Sequence, residues 1–201
     1  MTFTEETYSF TNSEGYKKDT KLLIGSYIDG KTITKEKYSY FYTETKNKYK
    51  IKFIVPNENY TVKDILNKET LTEVNQIKDF NKVNNSGKTQ STRCIFPAFE
   101  TSYNENILSY LNSYFDNLFN DNDLISSLLN SNNTKANQII HATNVNIDEN
   151  GVKAAAVTAM TNYTGIDINK DLHDFVINKE FVYIITDSND VELFIGQVKT
   201  I

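Results

Sequence analysis

His141-Ala142-Thr143-Asn144-Val145-Asn146-Ile147-Asp148-Glu149-Asn150-Gly151-Val152-Lys153-Ala154-Ala155-Ala156-Val157-Thr158-Ala159 joins two unlike kinds of chain. Its first part continues a long extended run from Gln138 to Asp148. His141 falls there between Ile139-Ile140 and Ala142, and burial would oblige both ring nitrogens to find partners, so a core histidine held in a hydrogen-bond network is preferred to a catalytic one. The second part, through Met160, is made of small residues. In isolation it reads as a short helix or ordinary buried packing, since alanine is the best helix former. As a strand it would place Val152, Ala154, Ala156, Thr158 and Met160 on one face and Lys153, Ala155, Val157 and Ala159 on the other. The single lysine then falls on one face only, and only a solvent-facing lysine would be tolerated in a packed sheet.

Downstream, Phe181-Val182-Tyr183-Ile184-Ile185 and Glu192-Leu193-Phe194-Ile195-Gly196-Gln197-Val198 are nearly all apolar and flank the polar turn Asp187-Ser188-Asn189-Asp190. This predicts a hairpin buried on both faces. Upstream, Ile107, Leu108, Leu111, Phe115 and Leu118 recur at helical spacing. Asn130 to Thr134 breaks regular structure after that helix. Arg93 to Phe99 reads as an apolar strand, and residues 81 to 91 as an exposed polar connection. Residues 2 to 55 read as strands and turns. Tyr38, Tyr40 and Tyr42 alternate with polar neighbours, as do Tyr49, Ile51 and Phe53, so a hairpin with one buried face per strand is expected, ended by Pro56. Thr61 is placed to cap a short helix over Val62 to Leu66, its hydroxyl accepting an orphaned backbone N–H.

The chain has 201 residues, 39% of them hydrophobic, enough for one domain with a real core. Its 12% aromatic content is almost entirely Tyr and Phe, which favours β-structure. A net charge of -5 with interspersed signs argues against nucleic acid as a partner. No apolar run reaches the roughly 20 residues of a membrane span, so no membrane partner is expected. The start of the chain has no signal-peptide pattern; a soluble protein is expected and its compartment stays open, an extracellular one included. The one cysteine, Cys94, lies in Cys94-Ile95-Phe96 and reads as a buried inert thiol. His141 and His173 are far apart and no zinc spacing exists, so neither a metal site nor a cofactor is expected. The seven glycines make no phosphate cradle.

The quoted stretch resembles the hinge region of serpins, where a strand of the main sheet ends in an acidic residue, one further residue and a glycine, followed by an alanine-rich segment. Glu149 and Gly151 match that pattern, with Val152 where a hydroxyl residue is usual and Lys153 where a glutamate is usual. Phe175 to Ile185 resembles the family's C-terminal signature, with Glu180 in place of a proline or small hydroxyl residue. Leu193 to Val198 resembles its closing strand, Phe96-Pro97-Ala98-Phe99 with Asn106-Ile107-Leu108 the strand and helix before the hinge, and Phe53-Ile54-Val55-Pro56 an apolar strand ending in proline. The resemblance covers essentially all 201 residues and starts midway along the family's domain.

The resemblance implies a β-rich α+β serpin-like fold, mainly antiparallel sheets with a few short helices, truncated to the C-terminal half of the domain over residues 1–201. It implies a hinge at Glu149, Gly151, Val152, Lys153, Ala154, Ala155, Ala156 and Thr158, within a hinge and reactive loop spanning 149–174, and a shutter-like place for His141. Counting from the hinge puts the scissile bond after Gly165 and counting back from Phe181 puts it after Asn169, giving the window Gly165, Ile166, Asp167, Ile168, Asn169 and Lys170. The implied function is suicide inhibition of a protease of serine or cysteine type, with no catalysis by the chain itself, and with the complementary N-terminal half needed for activity. The alternative is a non-inhibitory remnant acting as an interaction module; a cysteine hydrolase built on Cys94 and a histidine is the remote third reading.

Overall fold

The computed structural model describes residues 1–45, 48–77, 88–115, 137–152 and 170–201. Outside them lie the centre of the first predicted turn, residues 81–87 of the expected polar connection, Leu118, the expected break at 130–134, and residues 153 to 169 of the expected hinge and loop. In chain order the elements are β1 (Thr2–Phe3), β2 (Tyr8–Thr11), β3 (Lys17–Thr20), β4 (Leu22–Ile24), β5 (Ile28–Asp29), β6 (Ile33–Thr34), β7 (Tyr38–Glu44), β8 (Lys50–Pro56), α1 (Val62–Ile65), α2 (Lys68–Gln76), β9 (Thr89–Pro97), β10 (Phe99–Asn106), α3 (Leu108–Tyr114), β11 (Ile140–Asp148), β12 (Gly151–Val152), β13 (Lys170–Val176), β14 (Phe181–Thr186) and β15 (Glu192–Val198). Met1–Thr101 with Asn146–Ile201 make one unit, and Ser102–Val145 a second.

In the first unit the central sheet has the order β15-β14-β8-β7-β6. β7 and β8 form the expected hairpin, registered from Tyr38↔Pro56 to Glu44↔Lys50, and β14 lies antiparallel to β8. One face presents Tyr38, Tyr40, Ile54, Val182 and Ile184 to Val62 and Ile65 of α1 and Val74 of α2. The opposite face carries an aromatic cluster: the Phe53 ring lies tilted 4.8 Å from Phe96 and edge-on 5.7 Å from Phe181, and Phe99 lies 5.4 Å from Phe181. Each fully buried ring or branched side chain stabilises the fold by about 1.5–3 kcal/mol. The expectation of one buried face per strand fails for this reason: helices cover one side of the sheet and aromatic residues of β9 and β10 the other.

The predicted C-terminal hairpin forms as β14 and β15, turned by Asp187, whose Oδ1 accepts the N–H groups of Asn189 and Val191. Only β14 is buried on both faces. Among the described residues β15 is the sheet's edge, and it leaves Leu193 and Ile195 exposed. A second sheet has the order β1-β4-β9-β13 with β5 also on β9. β9 begins at Thr89, so Thr89, Gln90 and Ser91 belong to a strand and not to the polar connection. Their ladder partners in β13 and the Ser91 hydroxyl bonded to Asp29 replace the hydrophobic alternation that a sequence reading looks for.

Thr61 is the N-cap of α1, as expected, and the helix start is a capping box with Asp64. The Thr61 hydroxyl and backbone N–H both donate to Asp64 Oδ2 at 2.8 Å, and the Val62 N–H goes to the buried Glu180 carboxylate at 3.0 Å. α2, which the sequence reading did not predict, is capped by Asn67, whose side chain accepts the Thr70 N–H at 3.0 Å. In the second unit the Asn106 side chain accepts the N–H groups of Leu108 and Ile139. The apolar helix stripe is there in part: α3 is short, buries none of its side chains, and leaves Tyr110, Tyr114 and Phe115 exposed. Among the described residues no helix is long and apolar enough to cross a membrane.

Candidate functional site

The alternation of β11 prepares the site. Val145 and Ile147 are buried, while Asn144 is exposed and Asn146 half-buried, so the strand has one core face and one open face. At its end Asp148 Oδ1 accepts the Asn150 N–H at 2.8 Å, which tightens the turn. Gly151 follows with φ +116°, a conformation that a side chain would strain. The chain there reverses onto itself, pairing Gly151 with Asp148 and Val152 with Ile147 in antiparallel register.

The order β10-β11-β12 puts β10 along one edge of β11 and the two-residue β12 at the end of the other. Beside that second edge, from Ile140 to Asn146, no strand is paired among the described residues.

The other end of the 153–169 segment is anchored by β13, which runs parallel to β9 from Lys170↔Thr89 to Val176↔Ile95. Arg93 grips Asp174 with two bonds, Nε to Oδ1 at 2.6 Å and Nη2 to Oδ2 at 3.1 Å, and lies over the Tyr27 ring. The Asp174 carboxylate raises the Arg93 pKa further. Lys170 Nζ pairs with Asp29 Oδ1 at 2.8 Å, and the same oxygen accepts the Ser91 hydroxyl. Phe175 packs its ring 6.2 Å from Phe41.

Of the residues singled out in the sequence, Glu149, Gly151 and Val152 come together at the β11–β12 turn, and Lys170 opens β13. Lys153, Ala154, Ala155, Ala156 and Thr158, together with Gly165, Ile166, Asp167, Ile168 and Asn169, lie outside the described residues. His141 is not a core histidine: it is exposed, 5.7 Å from the Tyr103 ring, because the side of β11 it faces is covered only toward Val145 and Ile147. Asp29, Arg93, Asp174 and Glu180 were missed as partners, since each pairs across 62 to 118 residues of chain and only the β5–β9 and β9–β13 registers or the α1 contact bring them together.

Chemistry of the hydrolytic kind has no support at Cys94. It is fully buried, and burial pushes its thiol well above the usual range, so it holds its proton. His173 is exposed on β13 with Nε2 3.0 Å from Asp171. Among the described residues no three His, Cys, Asp or Glu side chains are grouped to hold a metal ion.

The sequence pattern of the serpin (serine protease inhibitor) family matches residues 4–201. Solved structures of similar fold include the thermophilic serpin tengpin in its native state, at 22% identity and TM-score 0.64 over 98% of this chain and 50% of that one. A serpin of the trematode Schistosoma haematobium is 16% identical, with TM-score 0.66 over 96% of this chain and 50% of that one. Serpin-12 of Manduca sexta is 17% identical, with TM-score 0.66 over 100% and 52% respectively. The chain thus spans about half the length of these solved relatives, and at such identities the likeness shows the fold. No curated protein matches it in sequence.

Proposed function

Since the chain belongs to the serpin family, whose members are in general protease inhibitors and not catalysts, we propose that it carries the loop and receiving edge of a suicide inhibitor of a serine or cysteine protease. Cleavage of the loop would free its upstream part to enter the main sheet beside β11, dragging the attached protease with it. Inhibition needs the rest of that sheet, whether it precedes these residues in the same polypeptide or comes from a second chain.

The observation that carries this reading is the β11–β12 register. Continued along the open edge of β11, it sets Lys153 opposite Asn146, Ala154 opposite Val145, Ala156 opposite Thr143 and Thr158 opposite His141. The side chains delivered to the face of Val145 and Ile147 are then Val152, Ala154, Ala156 and Thr158, all uncharged and small or of moderate size. Lys153 arrives beside Asn146 and Ala155 beside exposed Asn144, so the lysine enters on the open face and no charge is buried. Thr158 would come opposite His141, the shutter-like position. Roughly ten new strand hydrogen bonds at about 0.5–1.5 kcal/mol each would supply a driving force on the order of 10 kcal/mol.

In this reading Gly151 is the pivot, residues 153–169 form the loop, and the cut falls within Gly165 to Asn169, upstream of the ion pair that holds Lys170 in β13. The test is incubation of the domain, complete with its remaining half, with a panel of serine and cysteine proteases. An adduct that survives denaturant is expected. Loop cleavage with release of free protease in every case would instead make the protein a non-inhibitory interaction module.

A further inference from the structure

Asn150-Gly151 is the one Asn-Gly pair in the sequence, and it occupies the two-strand turn at the base of the hinge. Asn150 is exposed, and its backbone N–H is held by Asp148 Oδ1 at 2.8 Å, fixing the residue at the turn while its side-chain amide faces solvent. Gly151 has no β-carbon to shield its backbone nitrogen, and its φ of +116° leaves that position intolerant of one.

We propose that Asn150 is a site of spontaneous deamidation that ages the hinge. The Gly151 nitrogen attacks Asn150 Cγ, the new N–Cγ bond closes a five-membered succinimide, and the Cγ–Nδ2 bond breaks to release ammonia, which carries away the Gly151 amide proton. Water then opens the ring at either carbonyl. One opening leaves aspartate at 150. The other leaves isoaspartate, whose main chain runs through Cβ and Cγ and is one methylene longer.

Position 150 lies between Asp148 and Gly151, which are paired, so an added backbone atom there breaks the register that places Val152 opposite Ile147. Both products add a negative charge beside Asp148 and Glu149. The modification stands on the turn geometry alone; its consequence for loop insertion rests on the function proposed above.

The experiment incubates the purified protein at body temperature and mildly alkaline pH, then follows peptide mass and isoaspartate, the latter by enzymatic methyl transfer. The expected result is a gain of one dalton and an isoaspartyl signal confined to the peptide of Asn150. It should accumulate several-fold faster than deamidation at exposed Asn59, and Asn150→Gln should abolish it. Asn150 keeping its amide as long as Asn59 would overturn the proposal. Because the readout is covalent, it does not depend on whether the protein inhibits any protease.

Discussion

Glu180 places a buried carboxylate where α1 begins. One oxygen accepts the Val62 N–H, and the other, Oε2, is buried and meets no donor among the described residues. The two oxygens therefore act against each other. Glu180→Ala would leave the Val62 N–H unsatisfied and is expected to lower stability by about 1–3 kcal/mol. Glu180→Gln keeps an acceptor and removes the buried charge, so its denaturant midpoint should match or exceed that of the parent. Gly196 is constrained more directly: an added Cβ would sit 2.5 Å from the Tyr183 hydroxyl. Gly196→Ala is expected to destabilise by about 1–3 kcal/mol in denaturant melts, because the packed ring has to move. Burial also raises the pKa of Cys94 and Tyr40. The folded protein then holds protons that the unfolded chain releases, so stability falls as pH rises from about 8.5, where an unfolded thiol ionises. Denaturant midpoints across alkaline pH should show this decline, and Cys94→Ala should delay its onset toward the tyrosine range. The buried thiol was legible from Cys94-Ile95-Phe96, whereas Glu180 was visible only as an odd residue in a signature, since its partner is 118 positions away.

Among the elements, β11 with its two-residue return is the part that, on the proposed function, would give the loop a place to go. Continued into the proposed hinge, its register would divide the hinge into two faces, and substitutions on them should behave differently. Ala154→Glu or Ala156→Glu would bring a charge to the side of Val145, at a cost of several kcal/mol, and should turn an inhibitor into a substrate. Lys153→Glu on the open face should leave inhibition intact; the ratio of adduct to cleaved product on gels reads the difference. β13 depends on the Arg93–Asp174 and Lys170–Asp29 pairs, both partly exposed and each worth about 1 kcal/mol or less. Asp174→Ala should accordingly leave the melting temperature nearly unchanged while speeding hydrogen exchange in β13. The sequence announced β11, β14 and β15 by apolar content and turn residues. It hid the start of β9, because Thr89-Gln90-Ser91 is polar and is held by ladder partners and Asp29. It also misjudged β15, because an apolar strand reads the same at a sheet's edge as at its centre.

At the scale of the molecule, the described sheets contain one edge of β11 that a further strand would complete, and the pairs Asp148↔Gly151 and Ile147↔Val152 run along its end. The exposed His141, beside Tyr103, belongs to the same strand and is where insertion would end. The central claim is that loop cleavage converts this edge into a filled position. It is tested most directly by the melting temperature of the completed domain before and after a single cut between Gly165 and Asn169. A driving force on the order of 10 kcal/mol, in a completed domain about twice the length of this chain, predicts a rise of roughly 10 to 20 °C. An unchanged or lower melting temperature in the cleaved protein would contradict it.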